Sequence, residues 1–398
     1  MIRPLRNIKQ YIISAVILGT VVHGFALDIF SHTVNGAAVD LFPGSKIENT
    51  ELSFRGFYGG QIQIGNRFLL NGIVSAKAAN LFSDIKFWDI ASSVNVDEVS
   101  LMYRFKIENS SAQWALFAGE YEPAGTDLFI TRYFGTETFS SYLLEKQIGF
   151  EAPAIYPLNG IGTSFMIKYP VPIANAAYLY YNEKYGKHCL NSDFRIAGVS
   201  DIIITDFLFG FALPFEKKDA NGNDVVMVIK RVNFQTGLTF LITGNPYVNF
   251  YMQAGISRIQ TKADAGEQIV SFSDLYFLLE PRFAVGKTLS SVTVFYLPED
   301  TFKNIPHIDQ SWGAAFTIKS VPLELKSSRG VFGCTVCAAT ANPLTKTIDI
   351  NSISIKAVPF ADITIRNGTL KILLPIRPLK YNTPNEAVSL SVSYTIRF

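Results

Sequence analysis

Apolar and polar residues alternate without a fault along Ala387–Phe398. Val388, Leu390, Val392, Tyr394, Ile396 and Phe398 fall in one phase, and Ser389, Ser391, Ser393, Thr395 and Arg397 in the other. Successive side chains of a strand point to opposite faces, so this period of two predicts a strand with one apolar and one wet face. The same period recurs in Arg231–Gln260. Val232, Phe234, Leu238, Phe240 and Ile242 alternate with polar or small residues, Thr243-Gly244-Asn245-Pro246 breaks the run, and Val248, Phe250, Met252, Ala254 and Ile256 resume it. That is a hairpin with one apolar face and one polar-to-small face.

Similar hairpins are predicted along the chain. Val99–Ile107 and Trp114–Ala118 flank Glu108–Ser111. Glu51–Gln63 and Arg67–Asn80 flank Gly65-Asn66. Ile148–Ala154 and Ile161–Tyr169 flank Pro157–Gly160. Ser271–Ala284 and Ser291–Leu297 flank Gly286–Thr288. Ile363–Arg366 and Thr369–Leu374 flank Asn367-Gly368, a strong two-residue turn signal. In Thr347–Ala357 the apolar phase shifts between Ile350 and Ile353, which reads as a β-bulge near Asn351-Ser352. Polar connections are expected at Leu81–Asn95, Tyr121–Glu137, Asn182–Asp193, Glu216–Asp224, Thr261–Gln268, Pro298–Gln310 and Arg377–Glu386. Short turns and long connections therefore largely alternate. Tyr121–Glu137 folds either inward as a constriction or into a further hairpin.

Composition changes the picture from any β-protein to one that meets lipid. Aromatics make up 13% of the chain and charged residues only 17%, below the roughly 25% of soluble domains. After residue 26 no apolar run reaches the length of a spanning helix, so a membrane reading rests on short strands. A secreted β-sandwich or solenoid is the soluble alternative. Residues 1–26 read as a signal peptide, with Arg3, Arg6 and Lys9 before the apolar Tyr11–Val22 and a small-residue cleavage site ending at Ala26. Its removal takes the net charge from +2 to −1, so no nucleic-acid partner is expected.

The last strand resembles the C-terminal assembly signal of bacterial outer-membrane β-barrels, in which a terminal aromatic follows apolar residues at every second position. The resemblance is carried by Tyr394, Ile396 and Phe398 and covers 12 residues. It implies a barrel-assembly machinery and outer-membrane lipid as partners, and the outer membrane of a diderm bacterium as location. The expected fold is all-β, a closed antiparallel transmembrane β-barrel of about 16 strands, range 14 to 20, at about 9–11 residues per spanning strand. Residues 51–398 form the barrel, and residues 27–50 a first strand or a small inward hatch. The hatch would be similar to that of the long-chain fatty-acid transporter family, to which the likeness is one of size.

Chemistry adds little. Cys334 and Cys337 have redox or metal spacing but lie in a strand-like run, where positions three apart face opposite sides. Cys189 is separate, and His23, His32, His188 and His307 are scattered. No serine motif provides a nucleophile beside a histidine, so neither an enzyme nor a cofactor is expected. The cations on the inward phase are Arg104, Lys106, Lys168, Arg195, Arg231, Lys319, Arg366, Lys371 and Arg397. The inward acids read the same way are few, chiefly Glu151 and Asp349. The expected function is passive passage of small polar or anionic solutes. The alternatives are a surface-exposed adhesin or structural barrel, and a transporter of hydrophobic substrates.

Overall fold

A computed structural model describes residues 37–41, 44–48, 53–78, 94–136, 140–144, 154–184, 187–218, 224–229, 231–245, 247–261, 268–303, 305–325, 328–341, 352–365, 368–382 and 387–396. Residues 1–26, where a signal peptide is expected, and Glu151, Asp349, Arg366, Arg397 and Phe398 lie outside these.

Strand segments follow one another around a single sheet. They are β1 (Ala37–Leu41), β2 (Gly44–Glu48), β3 (Ser53–Ile64), β4 (Phe68–Ala78), β5 (Val94–Ile107), β6 (Ser110–Glu120) and β7 (Asn159–Lys168). Next come β8 (Ile173–Lys184), β9 (Lys187–Val199), β10 (Ile203–Lys218), β11 (Asp224–Ile229), β12 (Asn233–Asn245), β13 (Val248–Gln260) and β14 (Leu275–Val285). The last are β15 (Thr288–Tyr296), β16 (Trp312–Ser320), β17 (Leu323–Leu325), β18 (Ser328–Thr340), β19 (Ser354–Ile365), β20 (Gly368–Leu373) and β21 (Ser391–Ile396). Two helices interrupt the series, α1 (Leu128–Phe134) and the single turn α2 (Glu299–Phe302).

Three of these strands are interrupted. β1 and β2 pair with β3 in one register, from Ala37↔Ile64 to Glu48↔Ser53. β11 and β12 share β10, and β16 and β17 share β18. Among the described residues there are thus eighteen antiparallel strands. β2 also pairs with β21, from Gly44↔Thr395 to Glu48↔Ser391. The pairings therefore run in a cycle, with β1, β11 and β17 each paired on one side only among the described residues. Lipid offers backbone groups no partner, and closure is the only sheet arrangement that satisfies them all there. An even strand count lets first and last strands pair antiparallel.

The alternation sets the two faces. On β12 the even residues Phe234, Leu238, Phe240 and Ile242 point outward, while Asn233, Gln235 and Thr239 are buried inward. Leu116, Phe165, Phe194, Phe209, Phe316 and Val336 are exposed on the outer surface of six other strands. Burying such a belt is favourable only against an apolar medium. On β18, Cys337 is buried on the inward phase and Cys334 lies on the other, so their spacing brings no two thiols together. Single cysteines at Leu116 and Phe240 should react with a lipid-soluble maleimide and resist a water-soluble one. A cysteine at Lys106, inward and exposed near a turn, should do the reverse; the opposite pattern would turn the barrel inside out.

The two ends differ. Turns of two to four residues join β3–β4, β5–β6, β7–β8, β9–β10, β12–β13, β14–β15, β17–β18 and β19–β20. The longer connections lie at the other end, the longest between β6 and β7, residues 121–158, although β8 and β9 are joined there by only two residues. Three expectations are corrected here. Asn182–Asp193 is no loop, because β8 and β9 pair out to Lys184↔Lys187; polar residues are tolerated where strands extend past the lipid into water. Pro157–Gly160 is no hairpin turn, because β7 starts at Asn159 and pairs directly with β6. Ile363–Ile365 is not a separate short arm, because it is the end of the twelve-residue β19, and Arg366 lies outside the described residues. The bulge expected at Asn351-Ser352 touches residues outside those described.

Candidate functional site

The described parts of the connection between β6 and β7, residues 121–136, 140–144 and 154–158, turn inward and pack against the barrel wall. Tyr121 leaves β6 stacked on the inward Phe117, ring centroids 4.6 Å apart. Outgoing and returning limbs then pair with each other: Tyr121 N donates to Leu158 O at 2.8 Å, Ala124 N to Tyr156 O at 3.2 Å and Ile155 N to Ala124 O at 2.7 Å. This two-limbed rib crosses to β12 and β13. Gln253 Nε2 donates to Gly125 O. Gly255 lies under Ile155, and a Cβ there would collide with the isoleucine side chain and with Thr236 O.

At the end of the outgoing limb, α1 buries Phe129 and Ile130 and stops at Gly135, whose positive φ suits a left-handed cap; its N–H donates to Thr131 O. Glu122 sits at the root of the rib with φ +50°, a backbone region few non-glycine residues adopt. Three donors hold its carboxylate: Arg132 Nη1 at 2.7 Å, Tyr133 Oη at 2.8 Å and Tyr178 Oη at 2.8 Å. Such over-determination is what allows a strained residue to persist.

Two buried charge pairs tie the inward segment to the wall. Arg195 of β9 is fully buried and forks onto Asp206 of β10, Nε–Oδ1 2.7 Å and Nη2–Oδ2 2.5 Å. Its Nη1 donates to Glu122 O at 2.8 Å, and its guanidinium lies 4.5 Å from the Phe129 ring. Three strands beyond β10, Glu280 of β14 accepts from Ser141 Oγ, Tyr142 N, Thr293 Oγ1 and Arg282 Nε. Arg282 in turn donates to Ser140 O and lies between the rings of Tyr142 and Tyr251. Residues 140–144 are thereby fixed on β14 and β15.

A second connection, 297–311, carries Asp309 to the wall. Its carboxylate accepts from Lys356 Nζ at 2.6 Å, Arg377 Nε at 2.9 Å and Nη2 at 3.1 Å, and Ser354 Oγ at 3.1 Å. Burial alone would raise its pKa. The hydrogen bonds and charges of Arg377 and Lys356 outweigh that and bring it down to about 2. A carboxyl depressed in the folded state contributes stability that is complete above its unfolded pKa and lost as pH falls through the folded one. Protection against amide exchange at Ile305–Asp309, relative to the rate of an unstructured chain at the same pH, should therefore be full above about pH 4 and fall between about pH 4 and 2. Asp309→Asn should abolish that step, and a step that survives the substitution would assign it elsewhere.

The cations expected inward are distributed as follows. Arg104, Lys106, Lys168, Arg195, Arg231, Lys319 and Lys371 all occupy the inward phase of their strands or strand junctions. Arg195 is locked to Asp206. Lys371 lies 3.6 Å from Asp362. Arg231 donates to Gln260 at 2.6 Å, and Lys319 lies 3.7 Å from the Tyr142 ring centroid. Only Arg104, Lys106 and Lys168 gather, beside α1 near the short-turn end. The expectation of few inward acids does not hold. Glu98, Asp193, Asp206, Glu280 and Asp362 face inward, and most sit on a cation. They escaped the sequence reading because each is a single polar residue in a phase already filled with Ser, Thr, Asn and Gln. Alternation reveals the phase but not who pairs with whom. His188 stacks between Tyr181 and Phe215, and His307 packs near Phe360, far apart in the fold.

No protein-family model matches this sequence, and no curated protein matches it. Among solved structures, it is similar to a Rh. blastica porin carrying five substitutions, at 8% identity and a TM-score of 0.40, covering 91% of this chain and 100% of that one. It is also similar to Wzi, described as an outer-membrane carbohydrate-binding β-barrel involved in group 1 capsule assembly in Escherichia coli, at 9% identity and a TM-score of 0.47, covering 96% and 88%.

Proposed function

We propose that this chain is an outer-membrane β-barrel that passes small polar solutes through a lumen narrowed by its own 121–158 segment. The observation that carries the reading is the combination of an eighteen-strand cycle with an inward phase of hydroxyls and amides, such as Ser100, Gln113, Gln235, Thr293 and Thr335. A barrel of this strand number is too wide for wall side chains alone to fill, and what crosses it meets polar groups. The inward segment supplies the missing width. It is held to the wall mainly by ion pairs and hydrogen bonds.

Arg104, Lys106 and Lys168 favour anions over cations on the passage beside α1. Purified protein in a planar bilayer under a salt gradient should give small, discrete conductance steps and a reversal potential of anion-preferring sign. Arg104→Gln with Lys106→Gln should move that potential toward zero. A cation-preferring potential would remove the anion reading and leave the channel.

A structural or surface-binding barrel is the second reading, favoured by how completely the segment covers the wall where it is anchored: Arg195, Glu280 and Thr293 are buried to 1% exposure or less. Complete absence of conductance, in the wild type and in variants that release the segment, would select it.

A further inference from the structure

The inward phase of β5, β6 and β7, with α1 above it, encloses a pocket of about 350 Å³. That is the lower end of the range typical of small-ligand sites. Arg104, Arg132 and Lys168 line it together with Gln113, Ser111 and Tyr133, and no carboxylate lines it. Arg104 Nε is turned onto Gln113 Oε1 at 3.3 Å, and Gln113 Nε2 donates to Tyr133 Oη at 2.8 Å. The amide therefore orients the guanidinium, and both Nη groups remain in its plane as donors. Lys168 Nζ uses one of its three hydrogens on Tyr133 O at 2.7 Å.

Arg132 is already spent on Glu98 and Glu122 behind the pocket. That trio carries one net negative charge. Arg104, Lys168 and the neighbouring Lys106, opposite Ser111 in the ladder, outnumber it. A planar fork beside an ammonium, in a recess partly shielded from water, is the arrangement that recognises a carboxylate or phosphate.

We propose that this pocket is a binding site for a small organic oxyanion, a solute carrying a carboxylate or a phosphate. Arg104 grips the anion as a fork and Lys168 acts as the second charge, with Gln113 as the positioning residue for Arg104. The proposal deepens the channel reading by naming the solute class, but binding is measured with no current flowing, so either can fail alone.

The test is titration calorimetry on the full-length folded barrel in an uncharged detergent, where no lipid phosphate competes. Inorganic phosphate is the first probe and benzoate the second, with benzamide as the uncharged control. Saturable binding of at least one anion and none of benzamide is expected. Arg104→Gln with Lys168→Gln should weaken it about tenfold or more, since two charge-assisted contacts are lost. Lys319→Gln, on the far wall, should leave it unchanged. Heat-modifiable mobility checks that each variant is folded. Should the double variant not fold, Arg104→Lys keeps the charge without the fork and should weaken binding severalfold. No saturable binding of either anion, or equal affinity in the Arg104 variants, overturns the proposal. Binding that requires added anionic lipid would make the ligand a headgroup and overturns it as a solute site.

Discussion

Arg195→Met should cost about 3–5 kcal/mol of stability, the usual penalty for removing one partner of a buried ion pair. Asp206 would be left as a buried carboxylate without its fork. The carbonyl of Glu122 would lose its donor, and Phe129 the cation over its ring. The second and third losses loosen the root of the inward rib, so an increase in single-channel conductance should accompany the lower urea midpoint. Adding Asp206→Asn should recover a large part of the stability, because a neutral amide is far cheaper to bury alone than a charge. It should recover little of the conductance change, because Glu122 O still lacks its partner. A single variant with an unshifted midpoint would mean that water reaches Arg195 and that the pair is not truly buried.

Glu280→Ala should have an effect of similar size at the inward segment's attachment on β14. The carboxylate is fully buried and collects four donors, two of them from residues 141 and 142 of the inward segment. Truncation strands the guanidinium of Arg282 and releases the segment's far attachment, again at about 3–5 kcal/mol. Glu280→Gln is the informative companion. It keeps the shape and one acceptor, so residues 140–144 should stay docked while the ion pair is lost. Protease sensitivity within 140–144 should rise strongly in the alanine variant and little in the glutamine one. Equal sensitivity in both would shift the anchoring role from hydrogen bonding to charge.

Strands, faces and closure were legible in the sequence because period-two alternation reports the environment of one residue at a time. Phe240 and Asn233 are assigned by their own polarity and need no partner. The Asn367-Gly368 turn was legible within one residue, since strand pairing on either side fixes its place. The inward rib was legible only as one of two alternatives for Tyr121–Glu137, because its burial depends on partners more than fifty residues away, such as Tyr178 for Glu122 and Gln253 for Gly125. The candidate pocket was half legible: Arg104, Lys106 and Lys168 share a phase, but Gln113 and Tyr133, which orient them, carry no signal of their own. The cycle of 18 strands lies within the expected range of 14 to 20; chain length alone gave a lower central figure of about 16, because the turns at one end take only two to four residues and leave more of the chain for strands.

The pairing of β2 with β21 sets the order of events in assembly. Its partners lie almost the whole chain apart, so this ladder is the most expensive in loop-closure entropy and the slowest to form. The bond between Ser141 and Glu280 spans 139 residues and can form much earlier. Once the first and last strands have joined, a segment left outside can enter only through the barrel's mouth, so the shorter-range bond of Ser141 to Glu280 favours seating the rib while the sheet is still an open, curling ribbon.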